Sequence, residues 1–200
     1  MRIIIFILAL MFLSSTVNAW NEPDGFLGLK FWKPVSEGTL PSCDDLKAKH
    51  KPKPPGESTI EELLGPRDPC WEALGRDGNS HTIKNFALGG FILDVTAESL
   101  DRKLAHIFIV FPQGDYGQIL LTFKERYGVP TSTKTEIVQS GIGTKFKNEI
   151  FKWEGKRLII TVDKTGFGVS KGTIDYETDI WRAHSAKKFK DDIQKKAKGL

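Results

Sequence analysis

Cysteine is nearly absent: the chain has two, Cys43 and Cys70, in 200 residues. That excludes a disulfide-dense scaffold and a four-cysteine zinc site, and it leaves room for one bridge. After the first residues no apolar run approaches the roughly 20 residues that a membrane-crossing helix needs. Asn-x-Ser/Thr acceptor sites are missing as well, which tilts the reading towards a bacterial periplasm over a eukaryotic secretory route. Histidine is scarce. His50, His81, His106 and His184 fall in a loop, a turn, a strand and the tail, and no two stand at metal-ligand spacing. His106 reads as an outward-facing strand residue. Gly141-Ile-Gly143 lacks the third glycine and the following helix of a dinucleotide fingerprint, so no cofactor is expected.

What is present begins with a leader. Met1-Arg2 precedes an unbroken apolar run from Ile3 to Leu13, and Val17-Asn18-Ala19 supplies small residues at the −3 and −1 positions of a cleavage site. Residues 1–19 therefore read as a signal peptide. No cysteine follows the cleavage point, so the chain is not expected to be a lipoprotein. Cleavage leaves 181 residues, enough for one domain over residues 20–180 followed by a basic helical tail over 181–200. In an oxidising compartment Cys43 and Cys70 are expected to form a disulfide.

Charge is distributed unevenly. The formal +4 falls to +3 without Arg2, and residues 182–200 alone carry +5, so the part between leader and tail sums to −2. The basic character belongs to the tail, and a nucleic-acid surface across the domain is not supported.

The periodicities predict an antiparallel α+β fold. Phe26 to Trp32 reads as a strand, Pro34 to Leu40 as a short helix, residues 47–58 as a mobile Lys/Pro-rich loop, and Ser58 to Gly65 as another short helix. Strands are expected at Thr82–Leu88, Phe91–Thr96 and Leu104–Phe111. Tyr116, Ile119, Leu120, Phe123 and Tyr127 recur at helical spacing, with Asp115 as the expected N-cap and Gly128 and Pro130 as the stop. Further strands follow at Lys134–Ser140, Asn148–Trp153, Arg157–Asp163 and Lys171–Thr178. The connections are too short for helical crossovers, so the sheet is read as antiparallel. The chain can be divided into two helix-plus-meander halves packed on one main helix.

Leu120 to Pro130 with its Tyr-Gly-Val-Pro, Trp153, the Leu158–Val162 strand and the opening Glu22-Pro23…Phe26-Leu-Gly-Leu29 resemble uncharacterised exported bacterial domains. The helix-plus-meander pattern is similar to β-lactamase-inhibitor-protein-like folds and to small envelope-assembly lipoproteins. The resemblance spans Glu22 to Thr178 and implies protein binding. It carries over no functional residues, and the missing lipid cysteine departs from the lipoproteins.

Several motifs look catalytic. Gly168-Val-Ser170-Lys-Gly172 matches the serine-hydrolase elbow, with Asp175 or Asp179 and His184 following in the right order. That chemistry requires the serine on a strand-to-helix turn above a parallel sheet, whereas Thr173 to Thr178 reads as a strand. Leu158 to Gly166 ends in Asp163-Lys-Thr-Gly, which resembles the P-type ATPase phosphorylation sequence, where the aspartate is the nucleophile. The parallel core and membrane helices of that family are missing, and Phe167 replaces its threonine. Ser185-Ala-Lys-Lys188 fits S-x-x-K without its partner motifs in order.

The tail carries a narrow apolar stripe, Ala186, Phe189, Ile193 and Ala197, among Lys187, Lys188, Lys190, Lys195 and Lys196. Two readings apply: a helix docked on the domain, or a weak, reversible contact with anionic lipid. Trp20, Trp32 and Trp71 are either core residues or anchors for a partner. The expectation is an exported, non-catalytic binding or cell-envelope interaction protein with a protein partner. The alternative is a small periplasmic hydrolase or phosphatase using Ser170 or Asp163.

Overall fold

The structure, a computed structural model, describes residues 20–49, 68–74, 78–88 and 90–198. The expected leader and the helix expected at Ser58–Gly65 lie outside these residues. Where Phe26–Trp32 suggested one strand, the chain forms a tight hairpin of β1 (Gly25–Phe26) and β2 (Leu29–Lys30). Leu27 and Gly28 take φ of 50° and 80°, which reverses the chain between them. Pro34 then opens only a single 3₁₀ turn, Val35–Glu37, and not a helix to Leu40. The turn stops because Gly38 becomes extended, which brings the Thr39 amide onto the Gly28 carbonyl at 3.0 Å.

Helix α1 (Cys43–Lys49) follows, capped by Ser42, whose Oγ accepts the Asp45 amide at 3.1 Å. Lys47 to Lys49 are therefore helical, a correction to the loop expected over 47–58; the rest of that loop lies outside the described residues. The disulfide between Cys43 and Cys70 is formed, with Cα atoms 5.0 Å apart. It ties α1 to β3 (Cys70–Leu74), a strand that sequence reading missed because Cys-Trp-Glu-Ala-Leu shows no alternation.

The remaining elements are β4 (Ser80–Lys84), β5 (Ala87–Leu88), β6 (Phe91–Ile92), β7 (Asp94–Leu100), β8 (Lys103–Pro112), α2 (Tyr116–Tyr127), β9 (Ser132–Gln139), β10 (Lys145–Glu154), β11 (Leu158–Asp163), β12 (Lys171–Thr178) and α3 (Asp179–Lys198). Eight strands form one sheet in the order β3-β4-β7-β8-β12-β11-β10-β9, every pair antiparallel. Each half is a helix followed by a four-strand meander, and the last strands of the two halves, β8 and β12, meet at the centre. The fold is α+β, as the short connections required.

Paired residues share a face, so register sorts the sheet into two. The first face carries Val95, Ile107, Ile109, Ile160, Val162 and Ile174, all at or below 1 % exposure. Helix α2 and the segment from Phe26 to Leu40 cover it. Tyr116, Ile119, Phe123 and Tyr127 of α2 are buried there, and the Phe123 ring lies 5.9 Å from Trp153 and 6.3 Å from Tyr176. Asp115 sits at the N-terminus of α2 but makes no side-chain cap. It already belongs to a 3₁₀ turn, Gln113–Asp115, with helical φ and ψ of −89° and −4°, so its carboxylate does not fold back. The Gly128 amide closes the helix on the Lys124 carbonyl at 2.8 Å.

The N-terminal end of the described chain is tied down. Trp20 Nε1 donates to the Glu154 carbonyl at 3.0 Å, and Glu22 Oε1 accepts the amides of Arg157 and Leu158 at the β10–β11 turn. Trp20, Trp32 and Trp71 are all half-buried against the core.

Candidate functional site: the second face of the sheet

The second face differs from the first in both chemistry and cover. Phe108 and Val110 of β8, Ile150 of β10 and Ile159 of β11 lie on it, each half-buried. Glu98, Asp175, Glu177 and Asp163 share that face with them. Among the described residues, the first turn of α3 rises over its centre, and the Phe167 ring of the β11–β12 turn lies 6.3 Å from that of Phe108.

At that point His106 is held between two strands. Its Nδ1 lies 2.8 Å from Glu98 Oε2 on β7, and its Nε2 lies 3.3 Å from Asp175 Oδ1 on β12. Burial opposes protonation of the ring, but the hydrogen bonds and charges of Asp175 and Glu98 outweigh it and raise the pKa to about 9. His106 is therefore an imidazolium at neutral pH, donating from both nitrogens. The Trp181 indole stacks on it with centroids 4.5 Å apart and planes 7° apart. This corrects the expectation of an outward-facing histidine: α3 folds back over the strand and leaves the ring buried.

The base of α3 is built to make that fold-back. Thr178 Oγ1 donates to the Ala105 carbonyl at 2.6 Å and accepts the Trp181 amide at 3.3 Å, capping the helix. Trp32 Nε1 donates to Asp179 Oδ1 at 2.8 Å, and the Arg157 guanidinium lies over the Trp32 ring at 3.7 Å. Burial works against charge on Asp179, but Trp32, the Ile180 amide and Arg157 outweigh it and hold its carboxyl below the usual range. Trp32 itself takes φ 62°, unusual for a large side chain, and is held there by its amide on the Leu104 carbonyl at 2.9 Å.

Beyond its first turns α3 stands clear of the body, so the apolar stripe is not docked. Ala186 and Ala197 are exposed, Phe189 is 68 % exposed and Ile193 51 %, alongside the exposed Lys187, Lys188, Lys190, Lys195 and Lys196.

The residues of the catalytic motifs do not converge. Antiparallel β11 and β12 are joined by a tight turn in which the Phe167 amide meets the Lys171 carbonyl at 3.2 Å, so no helix follows Ser170. Ser170 is exposed, and its side chain makes no hydrogen bond among the described residues. Asp163 Oδ1 accepts the Thr165 amide at 2.9 Å in a local turn. Asp175 is committed to His106, and exposed His184 sits beside Trp181 with ring centroids 6.2 Å apart. Ser185 lies within α3. His81, expected in a turn, is buried in β4 with its ring 5.4 Å from that of Trp71.

One cluster gave no signal in the sequence. Tyr116 Oη is buried with no hydrogen-bond partner among the described residues. Burial and the charges of Glu149 and Asp163 push its pKa far up, and the Lys164 ammonium lies 5.4 Å from its ring centroid. Among the described residues no three His, Cys, Asp or Glu side chains come together as metal ligands, and no helix is long and apolar enough to cross a membrane. No protein-family model, curated protein or solved structure matches the chain.

Proposed function

We propose that the protein is an exported, non-catalytic binding protein that receives a protein partner on the second face of its sheet. The carrying observation is a set of half-buried apolar side chains, Phe108 and Val110 on β8 and Ile159 and Ile150 on β11 and β10, with Asp175 and Glu177 of β12 between them, on a face that the described chain covers at His106 and at Phe108, where the Phe167 ring lies 6.3 Å away. Antiparallel sheets commonly leave one face to solvent, and apolar side chains kept on such a face mark an interaction surface. The acidic side chains among them favour a partner presenting basic and apolar side chains. The separate positioning of Ser170, Asp163, Asp175 and His184 supports this reading over a hydrolase or phosphatase, and the disulfide accords with export.

Residues 20–200, immobilised at low salt, should retain a partner from periplasmic extract. Ile159→Arg and Glu177→Lys should abolish that retention, while Leu121→Arg, on the exposed side of α2, should not. Equal retention by all four proteins would overturn the proposal.

A second contact is favoured by the exposed stripe on α3. Phe189 and Ile193 with the surrounding lysines fit a reversible contact with anionic lipid, each lysine near the surface adding about 1 kcal/mol. Co-sedimentation with phosphatidylglycerol liposomes should fall on deletion of residues 182–200. Unchanged partitioning would rule the contact out.

A further inference from the structure

On the opposite, helix-covered side of the sheet, the turn at Phe26, the segment around Phe86 and helix α2 leave a cavity of about 200 Å³ between them. Phe26, Phe86, Phe123, Tyr127 and Tyr176 form its aromatic walls, and Arg126 of α2 stands in its lining. An apolar space of about 150 Å³ already holds a benzene ring, so this one has room for a single ring or a chain of six to eight carbons, by that measure roughly.

The polar side chains of its lining are Thr122, Arg126, Tyr127 and Tyr176, and the Thr122 hydroxyl already donates to the Gln118 carbonyl at 3.0 Å. Tyr127 and Tyr176 hydroxyls lie 3.2 Å apart, so one donates to the other. The proton of the accepting phenol has no acceptor among the described residues. Both rings are buried, Tyr176 to 2 % exposure, and burial followed by the Tyr127 contact raises the Tyr176 pKa well above its ordinary value, so it stays a protonated donor. Arg126 lies over the Tyr127 ring at 5.4 Å and makes no ion pair among the described residues. No carboxylate lines the cavity. An apolar body joined to an acceptor-only anionic head suits this lining, because a carboxylate accepts from the guanidinium while its chain fills the space between the aromatic walls.

We propose that this cavity is a binding site for a small apolar carboxylate, a medium-chain fatty acid or a single-ring aromatic acid, with Arg126 taking the carboxylate. The site lies on the other side of the sheet from the proposed partner face and stands independently of it.

Octanoate and 1-octanol, titrated by calorimetry into residues 20–200, test it. Octanoate should bind saturably and more tightly than octanol. Arg126→Gln, an exposed change that leaves the core intact, should weaken octanoate about tenfold and leave octanol unchanged. Thr122→Trp, at the half-buried Thr122 in the cavity lining, should remove the binding of both, with circular dichroism confirming the fold. The proposal fails if wild-type protein shows no saturable octanoate binding, if octanol binds as tightly as octanoate, or if Arg126→Gln binds octanoate as the wild type does.

Discussion

At the scale of single residues, His106 has the largest measurable consequence. Its folded pKa, raised to about 9, exceeds the ordinary value of 6.5. The stability it contributes is therefore fully present below pH 6.5 and is lost as pH climbs through 9. The groups facing it are Glu98 on β7, Asp175 and Glu177 on β12, and Trp181, Arg182 and His184 on α3. Thermal melts between pH 6 and 10 should show the midpoint falling through pH 9 in the wild type, and a flatter profile in Glu98→Gln/Asp175→Asn. Parallel profiles for the two proteins would show that the pair does not hold the charge. Gly172 gives a second residue-scale prediction. A Cβ there would meet the Phe111 ring at 2.2 Å and the Asp163 carbonyl oxygen at 2.8 Å. Gly172→Ala should therefore cost about 2 kcal/mol in urea unfolding, the usual range for overpacking a filled site. Loss below about 0.5 kcal/mol would mean that this end of the β8–β12 pairing yields easily.

Among the elements, α1 and α3 are held in different ways. Helix α1 has seven residues, of which Cys43 and Leu46 are buried, and the disulfide fixes it to β3 across a separation of 27 residues. Replacing both cysteines by serine should lower unfolding free energy by about 3–4 kcal/mol in the chain-entropy picture. Reduction of the wild type by dithiothreitol should reproduce that loss, and a change under about 1 kcal/mol would place the hold on α1 elsewhere. Helix α3 is fixed by its first turns alone, through Thr178, Asp179 and Trp181. Deleting residues 186–200, whose described side chains are exposed, should leave the melting midpoint of the body unchanged, whereas Trp181→Ala should lower it by uncovering His106. A large drop on deletion would show that α3 packs along the body.

In the whole molecule, two meanders share one continuous sheet, and that sharing gives the two faces separate tasks. The first face is used up by α2 and the Phe26–Leu40 segment, leaving one aromatic-walled cavity between them. The second keeps half-buried apolar side chains interleaved with the acidic side chains of β12. Partner retention on that face should weaken as salt rises from 50 to 300 mM, because Glu98, Asp175 and Glu177 act through charge. Retention independent of salt would assign the binding to the apolar side chains alone.

Much of this arrangement was legible in the chain itself. Helical spacing from Tyr116 to Tyr127 fixed α2, because five apolar residues on one stripe have no other way to be buried together. Short connections fixed antiparallel pairing, because a parallel crossover needs more chain than they contain. Two cysteines allowed one bridge, and that bridge is formed. Strand β3 and the start of α1 gave weak signals, since each is short and is held by the disulfide and an edge pairing more than by its own periodicity. What only the tertiary structure decided are the contacts between residues far apart in sequence. Those between Glu98, His106, Asp175 and Trp181 make a buried cation out of a histidine that looked ordinary. Those between Phe26, Phe86, Arg126 and Tyr176 enclose a cavity from elements 150 residues apart in the chain, Phe26 to Tyr176. Local pattern reports what a residue does to its own helix or strand, whereas charge and cavity depend on which strands the sheet sets side by side.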